Sequence, residues 1–150
     1  MAQFVSDSLE GLSNLPTNSH AGMVMTHRCA IAFTVAATLA AGDKLVLGKL
    51  PVGYTVQDVR ADSDGIAGLS VNVVQADSLE SGAVKTTLAA GVSLATEGGD
   101  IQGTLTKAAA RFKGANTELF LVAEVAEGGS VTVGQEVGIT FDYRYRQVTY

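Results

Sequence analysis

The stretch EVGITFDYRYR, residues 136–146, alternates apolar and polar side chains along its whole length. Its apolar positions all fall on one face when successive side chains point in opposite directions, as they do in a β-strand: Val137, Ile139, Phe141, Tyr143 and Tyr145. The other face carries charged, hydroxyl or small side chains. We therefore predict a strand that turns one face to a hydrophobic core and the other to water.

The same two-residue period recurs near the start of the chain. Between Met23 and Val35 every second residue belongs to one face: Met23, Met25, His27, Cys29, Ile31, Phe33 and Val35. This pattern predicts a strand over residues 23–35. The segment 118–125 is instead apolar on both faces, which is typical of a central strand covered on both sides.

Shorter strands are predicted at residues 44–50, 54–61, 69–73 and 131–133, bounded by glycine, proline and aspartate turns. Within the second of these segments Val59 is out of phase with Val56, and a β-bulge would explain the slip. Residues 75–103 are expected to form loops with one or two short strands. Residues 104–113 are ambiguous, because their helix propensity is high but the run is short.

These elements amount to about seven or eight strands with turn signals roughly every ten residues, which favours an all-β fold. We predict an antiparallel β-sandwich or jelly roll over residues 23–150, formed as one domain. An extended N-terminal arm, residues 1–22, is expected to precede it.

The arm is too apolar for a freely solvated tail. Five large apolar side chains stand among glycine, asparagine and proline residues that oppose a helix: Phe4, Val5, Leu9, Leu12 and Leu15. We predict that these five residues form an assembly interface with a neighbouring protein. The alternative is an arm packed on its own sandwich, where it would cover an exposed sheet edge.

The composition supports assembly but not nucleic-acid binding. Only 17% of the 150 residues are charged, against roughly 25% in typical soluble domains, and 47% are hydrophobic. Either much of the surface is small and uncharged, or a partner covers it, and the second reading predicts a homodimer or homotrimer. Ten basic residues among fifteen acidic ones argue against binding to phosphates. The basic residues Lys107, Arg111, Lys113, Arg144 and Arg146 are interpreted as solvated.

No membrane-spanning segment is predicted, because the longest mainly apolar uncharged stretch, residues 29–42, falls short of the ~20 residues that a spanning helix needs. The region before it lacks the basic cluster of a signal peptide. Cys29 is the single cysteine, so no disulfide can form within the chain.

Residues with catalytic or metal-binding chemistry are few. His27 and Cys29 share a strand face, but a zinc site needs three or four ligands and no further pair is visible. The segment Asp62-Ser63-Asp64-Gly65 has part of a calcium loop and is interpreted as an ordinary turn. Catalytic signatures such as the nucleophile elbow and the P-loop are absent from the sequence. We therefore expect neither an enzyme nor a cofactor or metal site.

The segment GDKLVLGKLPVGYTVQDVRADSD, residues 42–64, resembles small structural proteins of tailed phages. Their pattern D-x-L-x-L-x-x-L-P-x-G is matched by residues 43–53, and V-x-D-V by residues 56–59. An acidic turn, two apolar strands and an amphipathic terminal strand follow in both. The resemblance extends over roughly residues 23–146, and it is one of strands and turns rather than of a catalytic signature.

This resemblance implies a head decoration, or cement, protein of jelly-roll type that works without a cofactor. Such a protein would bind the major capsid protein on the outer surface of the phage head and stabilise the shell by bridging its subunits. Two alternatives stay open. One is another virion component, such as a tail, fibre or receptor-binding module. The other is a carbohydrate-binding β-sandwich, for which Tyr143, Tyr145 and Tyr150 would supply an aromatic platform.

Overall fold

Two β-sheets enclose the core, and nearly every strand pair in them is antiparallel. The computed structural model describes residues 3–5, 15, 24–83, 85–112, 115 and 117–145. The elements within these residues are β1 (Gln3–Val5), β2 (Val24–Ala32), β3 (Ala37–Thr38), β4 (Lys44–Leu50), β5 (Tyr54–Ser63), β6 (Ser70–Ala76), β7 (Lys85–Ser93), β8 (Gly98–Gln102), α1 (Lys107–Arg111), β9 (Leu119–Glu127), β10 (Ser130–Val131) and β11 (Glu136–Tyr145).

The strand order is that of a jelly roll. One sheet has the order β2-β11-β5-β8, and the other has the order β1-β4-β9-β6-β7. Without β1, these are eight strands in two four-stranded sheets, and the chain changes sheet at most of its connections. A separate pair joins β3 to β10, and the one parallel contact among the described strands is that of β1 with β4. The predicted all-β sandwich of about eight strands is confirmed.

Strand β11 lies between β2 and β5 and supplies the middle of its sheet. Its alternating residues Val137, Ile139, Phe141 and Tyr143 are buried in the core that the two sheets share. The pairing with β2 runs without a register shift from Glu136 opposite Ala32 to Arg144 opposite Val24. The predicted phase of the strand is therefore right, except at Tyr145, which is 40% exposed and lies beyond the core.

The predicted bulge is present in β5. Asp58 pairs with Asp142 of β11, whereas Val56 pairs with the next residue, Tyr143. Gln57 is thus the extra residue on β5, and its side chain is exposed. Because one residue is inserted, Val56 and Val59 both reach the core although they are three positions apart.

The central strand was also predicted correctly, since β9 pairs with β4 on one side and β6 on the other. Three other expectations were wrong in detail. The first long strand ends at Ala32, so that Val35 is exposed instead of buried, and Val133 lies in a turn after β10. The region expected to hold only short strands contains β7, with nine residues.

Within residues 104–113, whose structure the sequence left ambiguous, residues 107–111 form helix α1. The side-chain oxygen of Thr106 accepts a hydrogen bond from the N–H of Ala109, which makes it an N-cap. The Thr106 hydroxyl in turn donates to the carbonyl of Thr87 on β7. This hydrogen bond attaches the N-cap residue of the helix to the sheet. Ala109 is buried against the core, and Lys107 and Arg111 are exposed.

The core contains one aromatic side chain whose ionisation would oppose folding. Tyr143 is fully buried, its ring lies 5.8 Å from that of Tyr54, and burial raises its pKa to about 12, with smaller contributions from Tyr54 and Cys29. A phenol whose pKa is raised in the folded state stabilises the fold below its unfolded pKa of about 10, and this contribution is lost as the pH rises toward 12.

We therefore expect the urea midpoint of the protein to fall as the pH rises from 10 to 12, and to fall less in Tyr143→Phe, which has no proton to lose. The comparison of both proteins at neutral pH is the control, because it separates any packing or hydrogen-bond cost of the substitution from its pH dependence. Parallel losses in the two proteins would show that Tyr143 does not carry the alkaline sensitivity.

We expect Phe141→Ala to lower the free energy of unfolding by about 3–5 kcal/mol, because the ring is fully buried in the middle of β11. This is a large part of a typical stability of roughly 5–15 kcal/mol. Denaturant unfolding measures the change. Val133→Ala is the matched control, since Val133 is 68% exposed and its loss should change stability by no more than about 0.5 kcal/mol.

Candidate assembly surface

Three of the five predicted interface residues, Phe4, Val5 and Leu15, lie along the same edge of the five-stranded sheet. Phe4 stands opposite Leu45 in the parallel pairing of β1 with β4, and Val5 stands opposite Val46. Further along β4, the N–H of Leu15 donates to the carbonyl of Lys49 at 3.0 Å. Leu9 and Leu12 lie outside the described residues.

Phe4 and Leu15 differ in how far they enter the sandwich. Leu15 is 2% exposed and belongs to the core cluster. Phe4 is half-buried and packs at the margin of the core, where its ring meets that of Phe33 edge-on at 5.9 Å and 68°. The two residues therefore cover the β4 edge of their own chain, as the alternative interpretation of the arm expected. An additional role of the five residues in assembly stays a prediction.

An open apolar cavity of about 250 Å³ lies beside Phe4. Its lining comes from β1, from the end of β2 and from the connection to β3: Gln3, Phe4, Ile31, Ala32, Phe33, Thr34, Val35 and Ala37. The space around the Phe4 ring is therefore only partly filled by protein atoms, unlike the space around a core side chain. Among the described residues, none that lines this cavity is charged.

The same end of the molecule exposes two valines that sequence reasoning missed. Val35 is 71% exposed, and Val133 precedes Gly134, whose N–H donates to the carbonyl of Phe33. The segments 29–42 and 128–135 contain no charged residue. This shared lack of charge is the signal that could have indicated the surface, but it does not show that the two segments meet. Exposed apolar groups in an uncharged surrounding are typical of interfaces.

The outer face of the four-stranded sheet carries charged residues, several of which form ion pairs with one another. Arg28 of β2 reaches across β11 to both oxygens of Asp62 on β5, at 2.6 and 2.8 Å, and these hydrogen bonds raise the pKa of the guanidinium. Next to this pair, Arg60 binds Asp142 at 2.9 Å. The bridge over β11 passes above Gly138, where a Cβ atom would stand 2.6 Å from both partners.

The outer face of the five-stranded sheet is covered in part by the protein's own loop. Lys44 is almost fully buried, and its Nζ donates to the carbonyls of Leu79 and Glu80 in the β6–β7 connection. Beside it, Lys85 and Glu124 form an ion pair at 2.7 Å between β7 and β9. The loop and this pair flank a pocket of about 220 Å³.

The candidate metal ligands are used in other ways. Among the described residues no three histidine, cysteine or acidic side chains are grouped so that they could hold a metal ion. Asp62 binds Arg28, and Asp64 accepts a hydrogen bond from the N–H of Glu136 at 2.7 Å. Cys29 is a buried thiol of the core.

The tyrosine platform does not form from the described residues. Tyr143 is buried, and Tyr145 packs edge-on against Tyr54 at 5.6 Å, directly over Gly53. Tyr150, Lys113 and Arg146 lie outside the described residues. In the described part of the chain no helix is long and apolar enough to cross a membrane.

A comparison with solved structures finds a similar fold in a chain of a phage capsid. Neither a protein-family profile nor a curated protein matches the sequence. A chain from the capsid of Ralstonia phage GP4 has the same fold, with a TM-score of 0.78 and 21% sequence identity. The match covers 98% of this chain and 100% of that chain, so the two share one fold from end to end.

We expect Leu15→Ala to lower the free energy of unfolding by about 2–5 kcal/mol, because the side chain is a core residue of its own chain. Thermal or denaturant unfolding measures the loss, and Val52→Ala, at a position 46% exposed, is the control. An unchanged stability combined with weaker self-association would instead assign Leu15 to an interface.

Proposed function

We propose that this chain is a structural protein of a phage head that binds the outer surface of the capsid and bridges neighbouring capsid subunits. The observation that carries the proposal is the end-to-end structural match to a chain of the Ralstonia phage GP4 capsid. The match spans all of that chain, so the shared sandwich accounts for the whole of the capsid chain that was compared.

The surface of the described residues supports a binding role. The broad sheet faces carry ion pairs and a loop of the same chain, whereas Val35 and Val133 are exposed and belong to segments, residues 29–42 and 128–135, that contain no charged residue. Burial of such side chains against a partner is favourable at roughly 25 cal/mol per Å² of apolar surface. A phage head repeats one docking site many times, so an oligomer that engages several copies gains avidity from modest contacts.

The alternatives from the sequence receive less support. A carbohydrate-binding module would present an aromatic platform, but among the described tyrosines Tyr143 is buried and Tyr145 packs against Tyr54. A tail, fibre or receptor-binding component would have the same fold but a different position in the particle. The position therefore has to be measured.

The decisive experiment is electron cryomicroscopy of particles of the phage that encodes this chain, together with mass spectrometry of the purified heads. We expect many copies on the outside of the shell, at joints between capsid subunits. Density for the sandwich in the tail or fibres would favour the second virion hypothesis, and absence of the chain from purified particles would overturn both.

A functional prediction follows for the same particles. Heads assembled without this chain should release their genome at a lower temperature than complete heads, and added purified protein should restore the difference. Genome release is followed with a dye that binds DNA. The matched control is protein denatured and aggregated before addition. An equal release temperature with and without the chain would contradict a stabilising role.

A further inference from the structure

We propose that β1 is an exchangeable strand, which in the assembled protein pairs with the β4 edge of a second copy instead of its own. This inference deepens the assembly role proposed above and rests on it, because it names a second copy as the partner. The docking site is the β4 edge together with the apolar cavity that lies beside Phe4.

Strand β1 is held by a small number of contacts. Its pairing covers three positions, from Gln3 opposite Lys44 to Val5 opposite Val46, and it is parallel in a sandwich whose other described pairs are antiparallel. Parallel pairing is slightly less stable per residue. Phe4 is only half-buried, and an open cavity of about 250 Å³ remains beside it.

The chain between β1 and Leu15 is long enough for β1 to reach beyond its own sheet edge. Nine residues, 6–14, separate Val5 from Leu15. The chain from Val5 to Leu15 can span about 33 Å when extended. The partners of these two residues on β4, Val46 and Lys49, are separated by about 10 Å at the usual rise of a strand. The chain therefore has about 20 Å more reach than docking on its own edge requires.

The surface around the docking site carries exposed apolar side chains. Val35 lines the cavity and is the most exposed of the large hydrophobic residues in the described chain, and Val133 is near it in the adjoining turn. A copy that delivers its β1 into this site brings its own body against these side chains. Exchange thus conserves every contact of β1 and adds burial of apolar surface that the single chain leaves in water.

Because the exchanged and unexchanged forms make the same β1 contacts, their balance depends on concentration and on the added interface. A capsid surface holds copies at high effective concentration, which favours exchange there. The occupant is a second copy of this chain, since β1 already pairs with this edge and lines this cavity in the structure.

Single-cysteine variants test the exchange directly. Gln3→Cys and Thr34→Cys place thiols on two exposed positions of the same cavity, while the native Cys29 stays buried. The two variants are co-expressed with different tags, purified together and treated with a bifunctional maleimide. We expect a covalent dimer that carries both tags. The control pair, Gln3→Cys with Ala90→Cys on the far edge of the sheet, should give none.

A deletion of residues 7–12 separates exchange from simple contact between copies. Three residues then remain between Val5 and Leu15, enough to span about 13 Å and so to dock on the own edge, but not to reach a neighbour. We expect this deletion to abolish the two-tag dimer. In a chain that carries both cysteines it should leave an intrachain cross-link.

Two outcomes would overturn the inference. One is a cross-link only within chains that carry both cysteines, with no two-tag dimer from the single variants. The other is a two-tag dimer that survives the deletion. Neither outcome touches the proposed function, because particle imaging locates the chain on the head independently of how its copies are joined.

Discussion

The fold depends on the packing of one row of β11 side chains against the opposite sheet. Val137, Ile139, Phe141 and Tyr143 are each almost completely buried, and their strand lies between β2 and β5. Without β11, β2 would lose its partner among the described strands. Strands β5 and β8 would then no longer be joined to β2. The sheet is therefore completed by the last described strand in the sequence. Thr26 and Asp142, hydrogen-bonded across β2 and β11, are 116 positions apart, and such pairings carry a high loop-closure cost in folding.

The same sheet also explains where the few charges of the protein are used. Asp62, Asp142 and the arginines that bind them lie on its outer face, where Arg28 of β2 binds Asp62 of β5 and Arg60 of β5 binds Asp142 of β11. Exposed ion pairs of this kind stabilise a fold by roughly 0–1 kcal/mol each, so their main effect is to keep this face hydrated and paired internally. The low charge of the whole chain thus reflects an uneven distribution. One broad face holds several ion pairs, whereas the segments that carry Val35 and Val133, residues 29–42 and 128–135, contain no charged residue.

The parts of the fold that sequence could predict are those in which burial alternates over many residues. The last strand, the bulge at Gln57 and the central position of β9 were all visible in the spacing of large apolar side chains. Strand β7 was not, because its sequence KTTLAAGVS contains small and hydroxyl side chains that pair well but give a weak pattern. The alternation past Ala32 suggested that Val35 was buried, since a period reports side-chain direction but not the point where pairing stops.

The candidate surface was harder to predict, because it depends on contacts between distant segments. The five apolar residues of the arm indicated a packed segment, but the position of Phe4 opposite Leu45 follows from a strand pairing that no local pattern contains. Likewise, the lack of charge in residues 29–42 does not by itself indicate a surface. The fold brings this segment to the turn at Gly134, whose N–H donates to the carbonyl of Phe33.

A jelly roll leaves a binding partner little choice of surface. Both inner faces are used by the core, the outer face of the four-stranded sheet carries paired charges, and Lys44 fixes a loop over part of the other outer face. A partner that displaced the charges would have to compensate their desolvation, and one that displaced the loop would leave the Lys44 ammonium buried without its carbonyls. A partner that binds at the edges and ends of the sheets displaces neither these ion pairs nor this loop. A protein of this fold that assembles without rearranging its body therefore binds through strand edges and connecting loops, which is where β1, Val35 and Val133 lie.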